Sequence, residues 1–369
     1  MRVCVIFGTR PEAIKLAPLV HQLRRRSVET TVISTGQHKE LIAPVLDLFD
    51  IRPDVELDVM RSGQELDALT ARLIEGLGEA LRRSKCTHLF VQGDTTTAFA
   101  AALVGFYQGL WVGHVEAGLR TGNVKSPFPE EANRRFVSVV ADRHYAPTMQ
   151  AAQNLLDEGT DARSLLVTGN TVVDALRWVQ ENKTEDLDQH VRLNGLEGKK
   201  FILATLHRRE NIGAPLDATL VALKSFLSQR PDWSLVLPMH RNPLVRAQIT
   251  SVLEAGPQIL LLEAQGYKEF CGMMKNCGFI LTDSGGIQEE APYLNKRTIV
   301  VRDTTERPEA IDAGTSWLAG IDAERIGAAL VNAAREVDEG QGLKLRHINP
   351  FGDGTATLKI VDDLQALHD

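Results

Sequence analysis

Short runs rich in valine, isoleucine and leucine alternate with longer amphipathic stretches along this chain, and that rhythm constrains its fold more than any other feature. "VCVIF" (3–7) is followed by "PEAIKLAPLVHQLRRR" (11–26), whose apolar residues recur at helical spacing. "TTVISTG" (30–36), "HLFVQGD" (88–94) and "WVGHVEAG" (111–118) read as strands, with helical patterns over 65–84 and 95–108. Such alternation predicts βαβ units, hence a parallel sheet with helices on both faces. Several of these strands are nearly all apolar, as strands covered on both faces should be.

A second series follows "LLVTGNTVVDAL" (165–176), with strand patterns at 200–211, 234–240, 259–264, 278–286 and 297–303. The polar segment 181–200 shows no strong periodicity and marks the entry to this half. The chain has 369 residues, more than one core usually spans, so two domains of roughly 150–200 residues are expected. Their expected bounds are 1–172 and 173–354, with a helical tail, 355–369, crossing back onto the first. The fold class is then α/β, two Rossmann-like domains with a ligand cleft between them. In open α/β sheets ligands bind beyond the carboxyl ends of the strands. Polar residues gather at such positions here: Arg10, Gln37, His38, Asp94, His114, Glu116, His207, Arg208, Arg209, His240, Asp283 and Ser284.

Composition narrows the function classes. The net charge of −7 is spread without a basic block, which argues against nucleic-acid or membrane-surface binding. No window approaches about 18 consecutive apolar residues, and the N-terminus lacks a signal-peptide core. Cys4, Cys86, Cys271 and Cys277 form no C-x-x-C pair and match no usual zinc spacing. A cytoplasmic protein with reduced thiols and no metal site is the expectation.

Several short segments carry chemistry. "FGTRPEAIK" sets Gly8 at a strand end, Pro11 at a favoured first helical position, and Arg10 and Lys15 near a helix N-terminus. Cations belong there only if they meet an anion. In "VQGDTTTAFAA", either Asp94 or a threonine caps the next helix, or Asp94 is an acid/base group. In "HVEAGLRTG", alternation predicts that His114 and Glu116 share one strand face, with Arg120 or Arg134 as an ion-pair partner for Glu116. "SPFPEEANRR" opens a helix with Glu130 and Glu131, one of which serves the helix dipole. Asp94, Glu116 and Glu130 in one cleft would push each other's pKa values apart, suiting proton removal and return on a sugar.

Further along, "TLHRREN" supplies His207 and two arginines at a strand end, suited to a diphosphate, and "PMHRNP" ends a strand at His240. "DSGGIQEE" has a glycine turn for phosphate, but the chain lacks both the P-loop and the G-x-G-x-x-G fingerprint. ATP hydrolysis and nicotinamide chemistry therefore lose support.

Eight motifs, "GTRPEAIK", "GDTTTA", "HVEAGLRTG", "PFPEEANR", "GNTVVDAL", "LHRREN", "DSGGIQEEAP" and "RDTTERPEA", occur in this order from residue 8 to 310. In them the chain closely resembles the bacterial non-hydrolysing UDP-N-acetylglucosamine 2-epimerases over nearly its whole length. Hydrolysing relatives begin "GTRAD"; "GTRPE" here favours simple epimerisation. The resemblance implies a GT-B architecture, a homodimer, no cofactor, and reversible conversion of UDP-GlcNAc to UDP-ManNAc through 2-acetamidoglucal. It implies that Asp94, Glu116 and Glu130 are acid/base carboxylates. Arg10, Lys15, Arg134 and His207 would stabilise the departing diphosphate. Ser284, Gly285 and Gly286 would bind phosphate, Glu290 the ribose, Phe270 the uracil, and His240 would line the cleft, leaving Glu289 to the helix surface or packing. A second UDP-GlcNAc as activator would meet Gln37, His38, Arg208 and His240, although the chain departs from the strongly activated pattern at Glu40 and Gly63. The competing expectations are a 2-epimerase of a modified UDP-sugar and a GT-B glycosyltransferase.

Overall fold

Seven parallel strands form the first sheet: β1 (Arg2–Phe7), β2 (Glu29–Ser34), β3 (Val55–Glu56), β4 (His88–Gln92), β5 (Trp111–Val115), β6 (Arg143–Ala146) and β7 (Leu165–Val167). Their order is β3-β2-β1-β4-β5-β6-β7. From Val3 to Phe7, β1 is buried on both faces, which explains why its apolar run shows no alternation. The computed structural model describes residues 1–37, 39–61, 63–340 and 349–368.

The second sheet has six parallel strands: β8 (Lys200–Thr205), β9 (Trp233–Pro238), β10 (Ile259–Leu262), β11 (Phe279–Thr282), β12 (Thr298–Val300) and β13 (Ser316–Leu318), in the order β10-β9-β8-β11-β12-β13. Both orders reverse direction once, between β1 and β4 in the first sheet and between β8 and β11 in the second. Those switch points are where an open α/β sheet opens a crevice at its carboxyl edge.

The chain divides into two units, Met1–Trp178 with Phe351–Asp369, and Val179–Pro350. The division falls after Trp178, within the helix Thr171–Asn182 and further along that helix than 172/173. The reason is packing: Val173, Ala175 and Leu176 are buried, and Trp178 stacks on His21 with ring centroids 5.2 Å apart. The returning segment joins the first unit at Phe351, ahead of residue 355, because the Asn170 N–H donates to the Phe351 carbonyl at 2.7 Å. The final helix, Ala356–His368, is capped by Asp174, which accepts from the Ala356 and Thr357 N–H groups and the Thr357 hydroxyl. Its Asp363 binds Arg143 and Tyr145 on β6.

One element differs from the sequence expectation. Residues 181–200 contain a helix, Thr184–Leu193, with Leu187 and Val191 buried against the helix Tyr267–Asn276. The approach is close: a Cβ on Gly272 would stand 2.7 Å from the Leu187 carbonyl oxygen. Three buried side chains, Leu187, Val191 and Leu196, in so polar a segment left little periodicity to read. No helix among the described residues is long and apolar enough to cross a membrane. All four cysteines are free and buried, and no cluster of three or more metal-ligating side chains occurs among the described residues.

Candidate active site

In the first unit, the polar cluster sits at the carboxyl ends of β1, β4 and β5, three neighbours in the sheet. The turn after β1 is tight. A Cβ on Gly8 would fall 2.2 Å from Thr97 Oγ1 and 2.4 Å from Thr35 Oγ1, so only glycine fits. Glu12, fully buried, accepts from the Gly8 N–H (3.0 Å), the Thr9 N–H (2.7 Å) and the Thr9 hydroxyl (2.8 Å). Its other oxygen accepts from Thr95 Oγ1 at 2.6 Å, which ties the β1 turn to the β4 turn across the switch point. Burial pushes the Glu12 carboxyl above its usual range, and these donors oppose the rise. The sequence signal was the capping spacing of Thr9 and Glu12, although the reach to Thr95 has no local signature.

Thr95, not Asp94, caps the helix Thr96–Tyr107, accepting from the Ala98 N–H at 3.0 Å. Asp94 is thereby left for other work. Its Oδ2 accepts from Arg134 Nε (3.0 Å) and Nη2 (2.6 Å), while Asn133 donates to its carbonyl at 2.9 Å. Arg134 also reaches Glu131 at 3.0 Å. Of the adjacent pair, Glu131 is the structural member: it is fully buried and accepts from Arg134, Arg135 and the Thr121 N–H. Glu130 is half-buried at the first turn of the helix Glu130–Val140, and no hydrogen bond or ion pair reaches it among the described residues. Arg10 is likewise half-buried and without such a partner among the described residues.

Glu116 does not share a face with His114. The pleat ends at Val115, and Glu116 takes a left-handed backbone with φ 62°. That conformation costs about 1–2 kcal/mol for a residue with a side chain. Such outliers persist where the surroundings hold them, and they concentrate at functional sites. The partner expected from Arg120 or Arg134 is instead Lys15, whose Nζ donates to Glu116 Oε2, joined by Asn170 Nδ2 at 2.8 Å. Arg120 pairs with Glu158. His114 is fully buried, donating from Nε2 to the Gly93 carbonyl at 2.8 Å, with Nδ1 unpartnered among the described residues. Burial and the neighbouring His144 push the His114 imidazole down to about 3. Gln37 accepts from Thr97 Oγ1 at 2.9 Å; His38 lies outside the described residues.

In the second unit the cluster straddles the β8/β11 switch point. His207 follows β8 and donates from Nδ1 to Asp283 Oδ1 at 2.9 Å, while Asp283 also accepts from the His207 and Arg208 N–H groups, each at 2.9 Å. Burial would raise the Asp283 carboxyl, but the His207 ring and these backbone donors outweigh it and hold the group below its usual range. Asp283 was read only as a rim residue because its partner lies 76 positions away. His240, after β9, faces His207 with ring centroids 5.9 Å apart. Its burial, with the His207 charge, depresses the His240 imidazole.

Ser284 precedes the short helix Gly285–Glu290 without a side-chain cap bond. A Cβ on Gly286 would meet nothing within 4 Å, and one on Gly285 only Glu306 Oε2 at 3.6 Å and Arg208 Nη2 at 4.0 Å. Arg208 and Glu306 are 3.6 Å apart, and Arg302 holds Glu306 from the other side. Glu290 accepts from the Tyr267 hydroxyl at 2.7 Å, and Phe270 is half-buried one turn further along the same helix as Tyr267. Glu289 is not a surface residue: it is buried and paired with Arg307 of the "RDTTERPEA" motif.

The family model described as UDP-N-acetylglucosamine 2-epimerase matches residues 21–365. The UDP-N-acetylglucosamine 2-epimerase of Yersinia pestis is 45% identical over 371 residues, 99% of this chain and 98% of that one. The crystal structure of UDP-GlcNAc 2-epimerase from Neisseria meningitidis bound to UDP-GlcNAc is 41% identical, with a TM-score of 0.90 over 99% of this chain and 100% of that one. The Methanocaldococcus jannaschii enzyme in complex with UDP-GlcNAc and UDP is 31% identical, with a TM-score of 0.79 over 99% and 100%. Two helix-flanked parallel sheets of GT-B type, carboxylates at neighbouring strand ends and near-complete coverage by these relatives agree: the chain is an isomerase belonging to the UDP-N-acetylglucosamine 2-epimerase family.

Proposed function

We propose that this enzyme interconverts UDP-GlcNAc and UDP-ManNAc by anti elimination and re-addition of UDP. A carboxylate of the first unit takes the C2 proton. The C1–O bond to UDP breaks with its electron pair leaving on the diphosphate, which gives 2-acetamidoglucal. A UDP oxygen then adds back to C1 as a proton is delivered to the opposite face of C2. The sequence is redox-neutral and balances with proton transfer alone, so the chemistry calls for no cofactor.

The observation that carries this reading is the pairing of Asp94 with Arg134 and of Glu116 with Lys15 at the ends of adjacent strands. A neighbouring cation favours the ionised carboxylate, the form that accepts a proton. With Glu130 they form one acid/base set. Arg10 and His207 would meet the diphosphate charge that develops on departure. Because Lys15 and Arg134 hold carboxylates, we assign them there first and to the diphosphate second.

The second unit would grip the nucleotide, with phosphate at Ser284, Gly285 and Gly286, ribose at Glu290 and uracil at Phe270. The open space over Gly286 among the described residues supports the first of these. A second UDP-GlcNAc as activator at Gln37, Arg208 and His240, a cytoplasmic homodimer, and supply of ManNAc units to surface polysaccharide follow from the family likeness. Incubation with UDP-GlcNAc in D2O, followed by NMR, tests the central claim. UDP-ManNAc carrying deuterium at C2 is expected, and neither product nor exchange would remove it.

A further inference from the structure

Asn170 lies in "GNTVVDAL", a motif to which the proposed chemistry assigns no part, yet its side chain touches Glu116. It is 1% exposed, and its position is fixed three ways. The backbone N–H donates to the Phe351 carbonyl at 2.7 Å. Oδ1 accepts from the Val172 N–H at 3.1 Å, the first turn of the following helix. Since that N–H can only meet an acceptor, the amide orientation is settled, and Nδ2 must face Glu116 Oε2, at 2.8 Å.

We infer that Asn170 is a positioning residue for the proposed reaction, holding the Glu116 carboxylate by a buried N–H donor in the orientation that acts at C2. This rests on Glu116 being one of the acid/base carboxylates. The logic is a division of labour. Lys15 supplies charge from a long, flexible stem, which cannot by itself fix the plane of a carboxylate. Asn170 supplies direction from a rigid, buried site. Glu116 needs this support because its left-handed backbone, at a strand end, leaves its side chain weakly determined by the sheet. Nearby, His114, two residues earlier on β5, is held neutral by burial, and in the Gly93 turn before Asp94 a Cβ would stand 3.8 Å from Glu116 Oε1.

The test uses two substitutions with opposite electrostatics. Asn170→Asp keeps the shape and the acceptor for Val172 but turns the donor facing Glu116 into a second carboxylate. Two carboxylates sharing a site raise one pKa, so the acidic limb of the kcat–pH profile should move up by about one unit or more. At neutral pH, kcat should fall about tenfold or more and recover towards higher pH, with KM within threefold. Asn170→Ser keeps a short hydroxyl acceptor for Val172 but cannot reach Glu116. It should lower kcat about tenfold, with KM retained and no upward shift of the limb, and it decides the matter if the Asp variant does not fold. A profile for Asn170→Asp superimposable on the wild type, or kcat for Asn170→Ser within twofold of it, overturns the inference. Failure of the parent reading looks different: the wild-type enzyme itself would show no epimerisation and no exchange at C2.

Discussion

Asp283 holds His207 by both ring and backbone, accepting from the ring Nδ1 at 2.9 Å and from the His207 N–H, and it accepts from the Arg208 N–H as well. The carboxylate therefore sets the imidazole tautomer, with Nδ1 protonated and Nε2 presented outward. Asp283→Asn would keep the shape but turn an amide N–H toward the ring Nδ1, so the ring loses both the acceptor that orients it and the carboxylate charge behind it. We expect kcat to fall roughly 10- to 100-fold with a smaller change in KM, the scale of misplacing a group that meets charge developing in the transition state. Steady-state kinetics on UDP-GlcNAc checks this; an unchanged kcat would show that His207 acts without a defined tautomer.

The Asp94–Arg134 pair makes a second claim on kinetics. Asp94→Asn removes a proton acceptor, and epimerisation should drop about 10²- to 10⁴-fold. Arg134→Ala leaves Asp94 in place but strips the two hydrogen bonds to its carboxylate, while Glu131 keeps Arg135 and the Thr121 N–H. Losing those bonds leaves the Asp94 carboxylate unoriented, so kcat should fall on the order of 10²-fold with Asp94 itself intact. Deuterium incorporation at C2 measures both effects. Exchange by Arg134→Ala within twofold of the wild type would show that the pair does not position the carboxylate.

The activator proposal predicts that trace UDP-GlcNAc changes the rate-versus-UDP-ManNAc curve. Identical curves with and without it would remove that site. Arg208 carries an internal clue, since it is already engaged with Glu306 and its buried Nε has no hydrogen-bond partner among the described residues. Glu306→Gln should release Arg208 and tighten binding of UDP several-fold, a change that calorimetry would report.

Most of the architecture was legible because apolar strand runs and amphipathic helices are local signals. The acidic residues Asp94 and Glu116 could be read because turn chemistry places them at strand ends. What escaped is pairing between distant residues. Lys15 meets Glu116 across 101 positions, and Asp283 meets His207 across 76. No spacing in the chain records either. The positive φ at Glu116 was hidden for a related reason: glutamate carries no marker for a left-handed backbone, so the alternation of "HVEAG" suggested a face shared with His114. For Glu289 the two expectations, helix surface or packing, could not be separated because its partner, Arg307, lies in a separate motif.

The buried histidines of the first sheet make stability depend on pH. His114 and His144 are partners in register on β5 and β6. Burial, and then the charge of neighbouring groups, pushes His114 down to about 3 and His144 down to about 4. An unfolded imidazole titrates near 6.5, so below that value the unfolded chain binds protons that the folded chain refuses. Stability from these residues is complete above about pH 6.5 and is lost as pH falls towards 4. For His144 the loss at pH 5 is on the order of 2 kcal/mol. His144→Gln should remove that share, so that amide exchange of β5 and β6 accelerates less between pH 7.5 and 5, after correction for intrinsic rates, than in the wild type. Equal acceleration in the two proteins would place the acid sensitivity elsewhere in the fold.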